Sequence, residues 1–246
     1  MSWLTDGTGL GVGLALALPL GAVMGSLACA VAWRLPRGQD WVSGRSCCTT
    51  CGERLHALDL VPVLSWLVLR GRCRHCGSRI SARYPVTEAA TALAFAAPVL
   101  ANGGLWADLL PVWLLAVALM ILTLVDISHR LIPDGCTLLV VAAWLPASLT
   151  GMAPSLTQAL LGAALLGGGT WLVRWGTSAA AGRDALGLGD VKLFAAAGLW
   201  IGPAAIGWLL TLSAMAGLVW HVTGHRRNRG GAPMPCSIML TSTGRM

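Results

Sequence analysis

Two C-x-x-C-G motifs, at residues 48–52 and 73–77, are the most specific chemical signal in this sequence. A tight turn that contains glycine directs two sulfurs toward one ion, and a second turn of the same kind can complete a tetrahedral shell of thiolates. Because four protein ligands leave no open coordination position, such a shell is typical of structural rather than catalytic zinc. The predicted zinc ligands are Cys48, Cys51, Cys73 and Cys76.

Disulfide bonding is the alternative for these four cysteines, and it would require an oxidising compartment. Cys47 is a fifth thiol next to the first motif and could compete for the metal. The three remaining cysteines are isolated in the sequence, and we interpret them as packing residues: Cys29, Cys136 and Cys236.

Two aspartates form the second chemical signal. Asp126 lies in LVDISHRLIPD and Asp190 in LGLGDVKL, in a chain with only 10 carboxylate side chains. Ionisable groups at the border of apolar segments are costly and are therefore functional candidates. Two neighbouring carboxylates cannot both ionise cheaply, so one keeps a proton and serves as an acid while the other activates water. The glycines beside Asp190 would let a peptide backbone approach closely.

Each aspartate also has a purely structural interpretation. Asp126 could pair with Arg130 at a helix end. Asp190 could be a helix N-cap or could pair with Lys192. For an isolated aspartate, the structural interpretation would be preferred.

The composition shows what must position these groups. Charged residues make up 11% of the 246 residues and apolar residues 56%, whereas a soluble domain carries about 25% charged residues. An ordinary water-soluble enzyme is therefore excluded, and a lipid bilayer is the expected solvent. The 31 glycines fit helices that pack closely in lipid.

Apolar stretches predict an all-α polytopic membrane protein with about seven transmembrane helices and a zinc-binding loop between the first and second. The stretches are residues 8–33, 86–101, 105–125, 136–149, 156–173, 193–201 and 204–222. A spanning helix needs about 20 apolar residues, so the second, fourth and sixth stretches must borrow flanking residues. No basic residue precedes the first stretch, which we interpret as a retained anchor and not a cleaved signal.

These stretches divide the chain into four parts. We predict a first transmembrane segment at 1–33, the zinc loop at 34–85, a membrane core at 86–222 and a tail at 223–246. The tail begins like a last membrane segment but is too short for a full span.

The basic residues predict the orientation, because Lys and Arg favour cytoplasmic loops. Sixteen of the 17 basic residues lie in four alternate segments, 34–83, 126–135, 174–192 and 223–230. This places the N-terminus outside and the zinc loop and both aspartates at the cytoplasmic face, in a reducing compartment. The net charge of +7 is therefore an orientation signal, with anionic lipid contact secondary and no nucleic-acid partner expected.

Six motifs in this order resemble the bacterial prepilin peptidases of type IV pilus and type II secretion systems. They are GSL at 25–27 with RLPR at 34–37, the pair of cysteine motifs, VPVLSW at 61–66 between them, ISARYP at 80–85 with Glu88, Asp126 with IPD at 132–134, and GLGDVK at 187–192. The resemblance implies an aspartic endopeptidase of the inner membrane with Asp126 and Asp190 as its catalytic pair. It implies prepilin or pseudopilin substrates cleaved after a glycine, and N-methylation of the product with S-adenosylmethionine.

The sequence departs from the family pattern at three places. Residues 58–60 read LDL where the family has Asp-Asn-Ile, Cys47 is additional, and the last membrane segment is short. No G-x-G-x-x-G fingerprint supports a nucleotide-type cofactor site, so methyl transfer rests on the resemblance alone.

Two other classes of protein remain as alternatives. A proton- or ion-coupled transporter could use the aspartates as a relay, but no inverted repeat is visible. A zinc-bearing membrane adaptor would explain the cysteines and leave the aspartates without a role.

Overall fold

Alpha-helices make up nearly all of the regular structure, as the sequence predicts. The computed structural model describes residues 7–40, 46–104, 109–182 and 186–224. Within these ranges the helices are α1 Gly7–Arg34, α2 Leu64–Val68, α3 Arg83–Asn102, α4 Leu110–His129, α5 Asp134–Leu149, α6 Leu156–Ala181, α7 Leu188–Ile201 and α8 Ile206–Gly224. Strand pairing in the described residues is confined to two isolated bridges, Cys47 with Arg54 and Arg72 with Arg79.

Helices α1 and α3 to α8 coincide with the seven apolar stretches of the sequence. Four of them, α1, α3, α4 and α6, are long and apolar enough to cross a membrane. A fifth span results if Leu188–Ile201 and Pro203–Val219 are counted together, while α5, with 16 residues, is shorter than a typical span. The structure thus confirms a helical chain with four to five candidate spans, and the number seven stays a prediction.

Local signals explain where several helices end. Helix α3 stops where Gly103 adopts a φ of 72°, and α6 stops where Gly182 adopts a φ of 63°. Glycine takes this left-handed conformation without steric cost. Helix α4 ends at His129, and Pro133 then precedes α5.

A first core cluster joins α1 and α3 to the start of α4. Phe95 of α3 stacks on Trp113 of α4 at a centroid distance of 5.0 Å, and the Trp113 indole N–H donates to the Phe95 carbonyl. Gly21 of α1 lies so close to α3 that a Cβ there would come within 2.7 Å of the Ala92 Cα. The absence of a side chain at Gly21 therefore permits this backbone contact, as expected for helices packed in lipid.

A second core cluster joins the last turns of α1 and α4 to α5 and α7. Its buried members include Val31 of α1, Val125 of α4, Val140 of α5 and Ala196 of α7. Helix α1 leads into the predicted zinc loop at 34–85, which carries both cysteine motifs and is called the cysteine loop from here on, and α4 ends near Asp126. This cluster therefore places the loop and that aspartate at the same end of the bundle.

The segment from residue 205 onward forms a separate compact unit. Its described part is α8, an apolar helix of 19 residues. The predicted tail beyond residue 224, with Cys236, lies outside the described residues.

Candidate functional site

The two cysteine motifs fold into equivalent turns. In the first, the Gly52 N–H donates to the Cys48 carbonyl at 2.9 Å, and in the second the Gly77 N–H donates to the Cys73 carbonyl at 3.0 Å. Both glycines have a positive φ, 73° and 69°. Since only glycine takes this conformation readily, the fifth residue of each motif is what closes the turn.

The turns bring the four predicted ligands together. The ligand sulfurs of Cys48, Cys51, Cys73 and Cys76 all lie within 4.8 Å of one another. The Sγ atoms of Cys48 and Cys76 are 3.9 Å apart, and tetrahedral zinc with Zn–S bonds of about 2.3 Å requires about 3.8 Å between sulfurs. All four are free cysteines, and Cys47 is exposed and not part of the group. The four sulfurs can therefore hold a metal ion, with a geometry suited to zinc.

The thiols also influence one another electrostatically. Burial raises the pKa of Cys48, but hydrogen bonds from the backbone of Cys51 and Thr50 outweigh it and lower the pKa to about 6. At Cys51 a backbone hydrogen bond at Glu53 lowers the pKa, but the neighbouring thiols of Cys48 and Cys76 raise it to about 12. Four thiolates in one small volume need a cation to ionise together.

An ion pair that the sequence did not reveal attaches the second cysteine turn to the chain before it. Arg74 contacts Asp59 at 2.8 Å, and the Asp59 side chain is only 5% exposed. Burial raises the pKa of Asp59, but the Arg74 guanidinium outweighs it and holds the pKa below its usual range. The pair joins residues 15 positions apart, for which the sequence contains no local signal.

Asp126 lies on the exposed side of the last turn of α4. Among the described residues no ion pair joins it to Arg130, which instead ends the helix with a φ of 52°. His129, three residues further on, has a buried Nδ1 without a hydrogen-bond partner in the described structure. His129 belongs to the same motif as Asp126 but was not among the predicted site residues.

Asp190 is half-buried in the first turn of α7. Its carboxylate accepts a hydrogen bond from the Gly187 N–H at 3.2 Å, so it stabilises the helix start although Gly187 occupies the N-cap position. Lys192 does not pair with Asp190. It contacts Asp134 of α5 at 2.8 Å, and this pairing corrects the structural alternative considered for Lys192.

The starts of α5 and α7 meet beside the end of α4. A Cβ at Gly189 would lie 3.0 Å from the Ile132 Cβ, in the turn that follows α4. Together with the Lys192–Asp134 contact, this places Asp126 and Asp190 at the same end of the bundle. The cysteine loop leaves α1 at this end as well, because Val31 and Val125 share a core cluster.

A groove of about 560 Å³ begins at the Asp134–Lys192 pair and runs between α5, α6 and α7. Beyond that pair the lining is almost entirely apolar, with Leu138 and Val141 on one wall and Leu199 on another. The groove is therefore an open, largely apolar depression whose polar end lies at Asp134 and Lys192, near the start of α7 that carries Asp190.

Comparisons with known proteins cover both parts of the chain. Residues 20–101 match the bacterial peptidase A24 N-terminal domain, and residues 113–222 match the type IV leader peptidase family. A prepilin leader peptidase/N-methyltransferase of Pectobacterium carotovorum is 40% identical over 71% of this chain and 62% of its own length. One of Aeromonas hydrophila is 40% identical over 70% of this chain and 59% of its own length.

An Escherichia coli type 4 prepilin-like proteins leader peptide-processing enzyme is 33% identical over 91% of this chain and 89% of its own length. The chain thus matches about six tenths of the length of the first two relatives and most of the third. No solved structure matches the chain.

Proposed function

The chain belongs to the type IV leader peptidase family, and we propose that it is a membrane aspartic endopeptidase that removes the leader peptide of type IV prepilins or type II secretion pseudopilins. The observation that carries this proposal is the match to relatives of that named activity over nearly the whole chain. The end of the bundle where α4 ends and α7 begins carries two aspartates beside an apolar groove. Such a reaction needs both the acidic groups and a site for an apolar substrate segment.

Asp126 and Asp190 are the proposed catalytic pair. One carboxylic acid donates a hydrogen bond to the carbonyl oxygen of the scissile peptide, while the other group, as carboxylate, takes a proton from water. The resulting hydroxide adds to the carbonyl carbon, and the peptide C–N bond breaks as the leaving nitrogen receives a proton. The products are a free carboxyl end on the leader and a free amine on the mature protein.

The groove between α5, α6 and α7 suits the segment that follows the leader. In the family resemblance the cleaved glycine precedes an apolar helix, and the walls of the groove are apolar from Leu138 to Leu199. The Asp134–Lys192 pair at its opening marks the polar boundary. A substrate helix in the groove would therefore bring the scissile bond to the end of α7 that carries Asp190.

The proposed orientation places this end of the bundle at the cytoplasmic face of the bacterial inner membrane, with the N-terminus outside. Its support is the concentration of Lys and Arg in alternate segments. The zinc ion would be structural, held by the four cysteines, and would supply coordination that closes the loop rather than chemistry on the substrate.

N-methylation of the new N-terminus is proposed from the relatives' names alone. The described residues contain no strand that could begin a nucleotide-binding βαβ unit. A βαβ cofactor site therefore does not fit the part of the chain that the structure describes.

Cleavage of a prepilin-type substrate by the membrane-embedded protein tests the proposal. Asp126→Asn and Asp190→Asn should each abolish cleavage, because each removes one of the two proton-transferring groups, while zinc content and membrane insertion stay normal. Asp134→Asn is the matched control at the same end of the bundle, and it should retain most activity. Substantial cleavage by either catalytic variant would overturn the assignment of the pair, and intact zinc binding with no cleavage by the unmodified protein would favour the adaptor.

A further inference from the structure

Residues 58–68, called here the strap, connect the two cysteine turns and expose an unusual amount of apolar surface. The relative exposures are 74% for Leu58, 61% for Leu64, 56% for Leu67 and 79% for Val68. In a loop surrounded by water, contiguous apolar side chains on this scale would indicate a binding surface.

Two polar side chains of the strap have partners within the protein. Asp59, the only charged residue in the strap, pairs with Arg74 of the second cysteine turn. The indole N–H of Trp66 donates to the Ile80 carbonyl at 3.2 Å. These groups are satisfied within the protein, as an apolar solvent requires.

A hydrogen bond joins the strap to α3. The Val63 N–H donates to the buried carboxylate of Glu88 at 2.7 Å. Glu88 is the sixth residue of α3, so it lies about 7.5 Å along the helix axis from Arg83. Because α3 is a candidate membrane span, this hydrogen bond attaches the strap to a residue within that span.

The backbone of the strap is shaped for this contact. Val63 has a φ of 60° and a ψ of −52°, a conformation that a β-branched residue adopts only when its surroundings hold it there. The Glu88 carboxylate supplies that constraint, and helix α2 starts at the next residue.

Exposed arginines surround the apolar surface. Arg70 and Arg72 lie just after the strap, Arg54 lies before it, Arg79 lies between it and α3, and Arg83 is the first residue of α3. Anionic headgroups attract basic side chains of this kind at a membrane surface. The charge therefore complements a lipid leaflet.

We propose that the strap lies in the lipid leaflet on the side of the cysteine loop, with Leu64, Leu67 and Val68 among the acyl chains and the arginines at the headgroups. The partner is anionic lipid, and the strap continues the lipid-facing surface of α3, where Val86 is also exposed. The cysteine turns would then be held against the membrane rather than free above it.

Site-specific photocrosslinking tests this placement without disturbing the cysteines. A benzophenone amino acid is introduced at Leu67 or Val68 in the full-length protein, which is reconstituted into vesicles of phosphatidylcholine with phosphatidylglycerol and irradiated. Thr50 and His75 are the matched control positions, because both are exposed in the cysteine turns and neither belongs to the apolar surface or to the arginines at the headgroups. Lipid adducts are identified by intact-protein mass spectrometry, with normal zinc content as the criterion for a folded loop.

We expect lipid adducts at Leu67 and Val68 several-fold above those at the control positions. A second measurement, quenching of a fluorophore at Val68 by lipids brominated along the acyl chain, should show stronger quenching than for a fluorophore at His75. Equal lipid adducts at all four positions would overturn the proposal, as would adducts at Leu67 to a second protein chain. The outcome does not depend on peptidase activity, so it can fail while the proposed function stands.

Discussion

Substitution of Gly198 by alanine tests whether the backbone contact between α6 and α7 positions the end of the bundle that carries the proposed catalytic pair. Gly198 of α7 and Gly162 of α6 face each other, and a Cβ at Gly198 would lie 2.5 Å from the Gly162 carbonyl carbon. Carbon atoms pack at about 3.5–4.0 Å, so the helices must separate by about 1 Å. The neighbouring atoms belong to the backbone and cannot rotate away.

The expected cost follows from two opposing terms. Overpacking costs about 1–3 kcal/mol, and alanine gains about 1 kcal/mol over glycine in helix propensity. Gly198→Ala should therefore lower the free energy of unfolding by up to about 2 kcal/mol. Gly169→Ala is the matched control on α6, because a Cβ there would meet nothing within 4 Å and only the propensity gain remains.

Helix α7 carries Asp190, so the same substitution should also reduce catalysis. A misplacement of about 1 Å can cost about 100-fold in rate. The assays are thermal unfolding in detergent, followed by circular dichroism, and cleavage of a prepilin-type substrate. The reasoning would be refuted if Gly198→Ala unfolded at or above the temperature of Gly169→Ala and cleaved substrate equally fast.

Further expected outcomes concern the loop and the orientation. Cys48→Ser should lower the zinc content and loosen the loop, since metal binding and local folding are coupled, whereas Cys47→Ser should do neither; a full zinc complement in Cys48→Ser, measured by metal analysis, would mean that the ligand set is wrong. The lowered pKa of Asp59 means that its pair with Arg74 stabilises the loop fully above the unfolded pKa and loses that contribution as the pH falls through the folded pKa. In Asp59→Asn the stability of the loop should therefore depend less on pH in the acid range than in the unmodified protein. An equal loss of loop stability on acidification in both proteins would count against the pair. An engineered cysteine between α3 and α4 should react with an impermeant thiol reagent outside intact cells; protection there, with labelling of the zinc loop, would reverse the orientation.

Much of the architecture follows from local sequence signals. Helices form where apolar residues run long enough to make internal hydrogen bonding in lipid the only solution, so their positions can be recognised without knowledge of their neighbours. The number of spans is less accessible, because α5 and α7 are 16 and 14 residues long and local composition does not decide whether such helices cross. For the same reason the aspartates can be located at helix ends from the sequence, but not placed against particular neighbours.

The cysteine cluster was predictable because each turn is closed within five residues by its own glycine, and two such turns at this spacing are typical of four ligands for one metal ion. The Lys192–Asp134, Arg74–Asp59 and Val63–Glu88 contacts were not, since they join positions 58, 15 and 25 residues apart. By charge, Lys192 could pair with Asp190, its neighbour in sequence, or with Asp134. The packing of α5 against α7 selects Asp134, which is distant in sequence. The sequence by itself thus determined the helices, the chemistry of the ligands and the candidate acids, because these depend on neighbouring residues and solvent. Only the tertiary structure decided which side chains meet, because that depends on how helices distant in sequence pack.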